Sequence, residues 1–274
     1  MSSSPSIQPL SRERHGNKRW RPTNNHFGFA IASQFAPLAA NEVAKAALSL
    51  PLAFVKNQDE FQMVAVLGIS PDRNLFVAPN GRWLAGYLPA VFKFHPFRLG
   101  RVSETGEAVL CVDETSDLIT EDTGELFFKD ADNLGAATAE CWANMVENLR
   151  GQTMISKICA KLDQAGIIAP WPIRIRDGEN ERTLENLYQI DEAALNGLDD
   201  AGFCGLRHAG GLTLAYAQLF SSGHIARFGE LVAMHGQVAQ AEAKRAEAAD
   251  KPSDPGGELS FGDSLDIDWS KVGG

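Results

Sequence analysis

The chain is poor in the residues and patterns that announce a function. Four cysteines occur in 274 residues, at 111, 141, 159 and 204. None is spaced as C-x-x-C, so the spacing gives no support to a structural zinc site. Buried free thiols are expected rather than disulfides, because the first residues lack the charged-then-apolar pattern of a secretory signal. Basic residues are outnumbered, 25 against 35 acidic, for a net charge of −10 and a pI near 5.1. That balance excludes a general nucleic-acid binder, which needs a basic face to displace phosphate counterions. No long hydrophobic run exists. The most apolar stretch, from Phe27 to Ala40, is broken by Ser33, Gln34 and Pro37, too short to span a bilayer. The expectation is therefore a cytoplasmic protein that is not integral to a membrane. G-x-x-x-x-G-K-[ST], G-x-G-x-x-G and G-x-S-x-G are all missing, so nothing points to a bound nucleotide or a serine nucleophile. The six histidines form no H-E-x-x-H or H-x-H pair, and neither a metal nor a cofactor is expected.

What is present is a hydrophobic fraction of 44%, enough for a sizeable core in one or two domains. Residues 1–26 read as a loose basic arm with a local charge of +4, a docking arm or simply a solvated segment paired with the protein's own acids. Pro37 to Leu50 reads as a first helix, with Leu38, Val43, Ala46, Ala47 and Leu50 as its apolar stripe. Apolar runs at 52–55, 61–69, 74–77 and 108–113 read as strands, and Asn80-Gly81 as a hairpin turn, since both residues tolerate positive φ. Trp142, Met145, Val146 and Leu149 recur at helical spacing within 133–165, with Gly151 as a possible break. A small hairpin is expected across 170–190. Asp191 and Asp199 or Asp200 read as helix caps, and helices follow over 212–220 and from His224 to about Ala249. Residues 250–274 form a linker and an acidic tail in which Phe261, Ile267 and Trp269 alternate with acids. The expected fold is α+β: an antiparallel sheet of about five strands packed with helices, plus a C-terminal lobe with a small hairpin and a helical cluster. The expected divisions are 1–26, a sheet lobe over 27–166, a hairpin and helical lobe over 167–249, and the tail, with the two lobes forming one unit.

An ordered series of short segments carries a family resemblance. Pro9-Leu10-Ser11-Arg12-Glu13-Arg14-His15 is followed by Ala36-Pro37-Leu38-Ala39-Ala40-Asn41-Glu42. Asn74-Leu75-Phe76-Val77, Gly81-Arg82-Trp83 and Gly86-Tyr87-Leu88-Pro89-Ala90 come next. His95-Pro96-Phe97, Cys111-Val112-Asp113-Glu114 and Gly124-Glu125-Leu126-Phe127 follow, then Trp171-Pro172-Ile173, Leu187-Tyr188-Gln189-Ile190-Asp191-Glu192 and Tyr216-Ala217-Gln218-Leu219. From Pro9 to Phe228 this series resembles the bacterial SapC family. The resemblance implies a soluble protein associated with surface-layer systems and supplies no catalytic residue. A transporter permease shares the name, but such a protein needs spanning segments that this sequence lacks.

The candidate chemistry is sparse. Cys111 with His95 as base, beside Asp113 and Glu114, would make a cysteine-nucleophile site. The apolar flanks Val109, Leu110 and Val112 instead suggest a buried, inert thiol. Five carboxylates between Asp113 and Asp122 could bind a cation or serve hydrolysis, although an acidic surface loop is the plainer reading. Arg82, Trp83 and Tyr87 could line a ligand pocket or belong to the sheet's core. Arg12 and Arg14 in the arm, and Phe261, Ile267 and Trp269 in the tail, could hold a protein partner. The function expected is a non-catalytic accessory or binding protein with an unidentified protein partner; an enzyme of unknown reaction is the alternative.

Overall fold

A computed structural model describes residues 6–22, 26–102, 105–177 and 180–249. The strands are β1 Ile7–Pro9, β2 Arg19–Trp20, β3 Phe35–Pro37, β4 Leu52–Asn57, β5 Glu60–Val66, β6 Phe97–Arg101, β7 Ala108–Asp113, β8 Ile119–Thr120, β9 Glu125–Leu126, β10 Ile168–Pro170, β11 Ile173–Asp177, β12 Asn180–Leu184 and β13 Leu187–Ile190. The helices are α1 Arg12–His15, α2 Val43–Ala46, α3 Ala90–Lys93, α4 Ala136–Gln164, α5 Glu192–Asn196, α6 Asp200–Ala209, α7 Gly211–Ser221 and α8 Arg227–Ala249. The fold is α+β, with every strand pair antiparallel.

The principal sheet has five strands in the order β10-β13-β4-β5-β3. Its centre is the β4–β5 hairpin, in register from Leu52 opposite Ala65 to Asn57 opposite Glu60. Leu52, Ala53 and Phe54 are all fully buried. An unbroken buried run, rather than an alternating one, means that both faces of the strand are covered. On the helical side α7 stitches two strands together. Its buried Gln218 accepts from Ile190 N–H at 2.9 Å and donates to Leu52 C=O at 3.4 Å, while Ser221 Oγ accepts from Leu52 N–H at 3.1 Å. These side chains pair backbone groups that burial would otherwise leave unsatisfied.

Membership of the sheets differs from a chain-order reading. β6 and β7 leave the main sheet and pair with β1 in a separate sheet ordered β1-β7-β6. The places in the five-stranded sheet go instead to β10 and β13, so the sheet draws on both sides of residue 166. The N-terminal segment is built in rather than loose: β1 pairs with β7, and β2 lies between β8 and β9.

Three local expectations are corrected. Pro37 does not open a helix. It ends β3 opposite Val64, on the sheet's edge, where a missing N–H costs no ladder bond, and only 43–46 is helical. The turn at Asn80-Gly81 forms, with Gly81 at φ +82°, but its arms reduce to one bridge between Val77 and Trp83. Gly151 does not break α4. It lets the helix approach Ala39, whose Cβ would lie 2.7 Å from any Cβ at this position. The caps hold as expected: Asp191 accepts from Ala194 N–H and Asp199 from Gly202 N–H, at 3.0 and 2.8 Å.

Two apolar clusters result. The larger surrounds the five-stranded sheet and takes Ile155, Ile158, Cys159 and Leu162 from α4. The smaller gathers Trp20, Phe97, Leu110, Val112, Phe127 and, from the same helix, Met145. α4 is thus common to both cores, and the seam between them runs along its first half.

Candidate functional site

Glu42 lies at this seam. It is 4% exposed and forms no ion pair with any cation among the described residues. A buried carboxylate is tolerable only if its lone pairs are filled, and here four donors fill them. Oε1 accepts from Tyr87 Oη–H at 2.8 Å and Ala90 N–H at 2.7 Å. Oε2 accepts from Ala39 N–H at 3.0 Å and Asn148 Nδ2–H at 2.9 Å. One side chain therefore ties together its own turn, the otherwise orphaned first N–H of α3, the loop at Tyr87 and α4. Asn148 is held in turn by Gln152, at 2.8 Å. Burial, then the bond to Glu42, raises the Tyr87 pKa, so the phenol remains a donor.

This frame borders a cleft of about 490 Å³ lined by Trp20, Asn41, Lys45, Tyr87, Lys93, Glu140, Cys141 and Asn144 with Glu42 and Asn148. Trp20 is fixed from behind, its Nε1–H on Thr138 Oγ1 at 2.9 Å. The Lys93 ammonium lies over the Tyr87 ring, 5.6 Å from its centroid. A narrower slot of about 190 Å³ shares Phe94 and Asn148 with the cleft and is otherwise mostly apolar, walled by Val91, Phe97, Leu99 and Met145. The arrangement suits recognition: a rigid frame whose own polar groups are satisfied, surrounded by exposed ammonium, amide and carboxylate groups.

The sequence-level candidates lie elsewhere, Tyr87 excepted. His95 is buried, with Nε2 on Ser116 Oγ at 2.9 Å and its ring stacked 3.8 Å from that of Phe29. Burial first, then the Arg98 charge, pushes its pKa down to about 4, against the opposing pull of Asp113 and Asp117. Its Nδ1 makes no hydrogen bond. Cys111 is buried in β7 against the bare backbone of Gly100, and desolvation raises its thiol pKa. Asp113 closes an Asx turn, accepting from Thr115 N–H and Oγ1–H at 3.1 and 2.7 Å. Glu114 lies just past the end of β7, in the turn that follows it. It receives Arg14 bidentately at 2.9 and 2.6 Å, with His15 Nε2 at 3.1 Å. The Arg14 bonds hold its carboxyl below the ordinary range. His95 and Asp113 lie close enough for the Asp113 charge to act on the imidazole, but Glu114 is taken up by Arg14, and none of the four lines the cleft or the slot.

Arg82 is exposed. Trp83 is packed among Phe27, Phe76 and Phe92, and its Nε1–H bonds Tyr87 C=O at 2.9 Å. In the N-terminal segment, Arg12 lies over Phe128 and donates to Asp130 C=O, while Arg14 is held by Glu114. Phe261, Ile267 and Trp269 lie outside the described residues. Among the described residues no three His, Cys, Asp or Glu side chains are grouped to hold a metal ion, and no helix is long and apolar enough to cross a membrane.

Glu42 was not singled out as a site residue by the sequence. The only signal was its place in one of the segments carrying the resemblance, and the structure now brings two of those segments, 36–42 and 86–90, onto one carboxylate. A family model for SapC matches residues 10–228, most of the chain. The chain belongs to the SapC family. No curated protein and no solved structure matches it. The matched region of this SapC-family chain includes all of the cleft's lining residues and stops within α8.

Proposed function

We propose that this chain is a non-catalytic accessory protein that recognises a protein partner through the Glu42-framed cleft, in the service of surface-layer or envelope-associated systems. The observation that carries the reading is the contrast between the two sets of polar groups. Those with reactive potential are enclosed: His95 is held neutral by burial, Cys111 is desolvated and Glu42 is saturated. Those suited to binding are open: Asn41, Lys45, Lys93, Glu140 and Asn144 are exposed around the cleft. Because Arg12 and Arg14 engage the protein's own groups, recognition is assigned first to the cleft. Phe261, Ile267 and Trp269 supply a second handle. The surface-layer element of the reading is supported by family membership and its name alone.

The enzyme alternative, with a site near the aromatic-rich hairpin at Tyr87 and the strand end at Cys111, Asp113 and Glu114 together with His95, has against it that Tyr87 lines the cleft and the other four do not, and that Glu114 is taken up by Arg14. The test is affinity recovery of the tagged full-length chain from its own cells, beside a Lys45→Glu/Lys93→Glu variant with an unchanged unfolding midpoint. The expected result is one stoichiometric partner that the variant loses. Equal recovery of that partner by both proteins, or turnover of a small molecule that disappears in Cys111→Ser, would overturn the proposal.

A further inference from the structure

β6 is an outer strand of its sheet. The bonds from Asp113 N–H to Pro96 C=O and from Val102 N–H to Glu107 C=O set the phase of its ladder with β7. In an antiparallel pair, residues two apart repeat that phase. Arg98 and Gly100 therefore turn their backbone groups toward β7, and Leu99 turns its N–H and C=O to the free edge. Phe97, Arg98 and Leu99 all line the slot in succession. Side chains alternate between the faces of a strand, so three consecutive lining residues mean that the strand's edge borders the slot. An unpaired edge beside an apolar cavity is the arrangement that accepts an added strand.

The dimensions and charges narrow the occupant. The slot and the larger cleft share Phe94 and Asn148 in their walls, and α4 lines both, from Gln152 back to Ala137. That stretch of helix rises about 22 Å, the length of about six or seven residues of extended chain. The slot walls, Val91, Phe94, Phe97, Leu99 and Met145, call for a large apolar side chain. Arg98 beside the slot and Lys93 and Lys45 beside the cleft form no ion pair with a described carboxylate. Glu140 and Glu147 lie on the α4 wall, the latter already facing Arg150 at 3.4 Å. An incoming chain therefore meets its cations on β6, α3 and α2, and carboxylates on α4. Arg98 and Arg101 on the edge strand repel a basic strand and admit an acidic one.

We propose that a partner's extended peptide segment, alternating acidic with large apolar residues, adds as a strand to the free edge of β6, with one apolar side chain in the slot. The proposal rests on the binding role above and specifies the partner's chemistry. It is tested by fluorescence anisotropy with a fluorescein-labelled heptapeptide alternating aspartate and leucine, titrated with the full-length chain and with residues 1–249. Saturable binding in the micromolar range is expected. It should weaken about tenfold in Arg98→Glu/Lys93→Glu, and disappear when lysine replaces aspartate or when the peptide's alternate backbone nitrogens are methylated. Leu99→Pro removes the outward N–H while sparing the bonds to β7 and should also abolish binding. Should that variant unfold, the wild-type protein decides: hydrogen exchange at the Leu99 amide should slow when the peptide is added. Binding indifferent to backbone methylation, or an unchanged Leu99 exchange rate at saturation, would overturn the proposal. So would binding by residues 1–249 but not by the full-length chain, which would make the occupant this chain's own tail. If the cellular partner is lost by Lys45→Glu/Lys93→Glu yet retained by a folded Leu99→Pro, the binding role stands and the strand addition falls.

Discussion

Replacing Glu42 by glutamine keeps the shape of the side chain and changes only which lone pairs can accept. The carboxylate receives two donors on each oxygen. The amide retains one acceptor and turns an NH₂ toward the other pair of donors. If the NH₂ faces Tyr87 and Ala90, the phenol can rotate to accept, but Ala90 N–H is left without a partner. If it faces Ala39 and Asn148, Asn148 must flip and release Gln152, and Ala39 N–H is orphaned. Each orientation loses about two charge-assisted bonds, worth about 1.5–3 kcal/mol apiece. The relief of not burying a charge offsets part of this, leaving a net loss of about 3 kcal/mol. In a protein of this size that corresponds to a fall in Tm of about 6–12 °C. Tyr87→Phe, which removes one bond and leaves the others, should cost about half as much. Urea unfolding followed by tryptophan fluorescence and by far-UV circular dichroism measures both, and coincident transitions license the two-state comparison. Glu42→Gln within about 0.5 kcal/mol of wild type, the scatter of neutral surface changes, would refute the reasoning and reduce Glu42 to one interchangeable polar residue.

Three further expectations follow from particular side chains. His95 has a folded pKa near 4 against an unfolded value near 6.5, so the unfolded chain binds the extra proton first. Stability should fall as pH drops from 6.5 toward 4, by at most about 3 kcal/mol from this residue; His15 and His235, also lowered by burial, act in the same direction. Denaturation midpoints of wild type and His95→Asn across that window check it, and an identical pH slope in both would refute the assignment. Desolvation raises the thiols of Cys141 to about 11 and of Cys159 to about 12, and raises that of Cys111 too, while Cys204 is exposed. A thiol reagent at pH 8 should therefore react in one fast phase that Cys204→Ser removes; a fast phase surviving that change would contradict the raised thiol pKa values of the others. Gly151→Ala gains helix propensity but drives a methyl to within 2.7 Å of Ala39 Cβ. The expected balance is a loss of about 1–2 kcal/mol, read by urea midpoint, and a gain in stability would show that α4 and the segment at Ala39 can part without cost.

The sequence made local features legible and long-range ones much less so. α4 was readable because Trp142, Met145, Val146 and Leu149 repeat at helical spacing, and Asp191 because a cap signal is contained within four residues. β4 and β5 were readable as apolar runs. Which strands share a sheet was not: β13 pairs with β4 across more than 130 residues, and no periodicity within either strand specifies that. Pro37 misled because a proline suits both a helix's first turn and a sheet's edge, and only the pairing with β5 decides between them. Cys111 was read correctly as a buried thiol from its neighbours. The role of Glu42 was out of reach, since Tyr87 and Asn148 lie 45 and 106 residues away and nothing near Glu42 in the chain distinguishes a buried carboxylate from a solvated one.

The claim on which the functional account turns is that a partner occupies the cleft. A photo-crosslinking residue placed at Asn144, on the cleft's α4 wall, reports on this directly in cells. The same residue at Phe203, an exposed position on α6 that does not line the cleft, is the control. The account predicts a single light-dependent adduct from position 144 that Lys45→Glu/Lys93→Glu suppresses, and none from position 203. Adducts from position 203 alone, or from both positions equally, would contradict it.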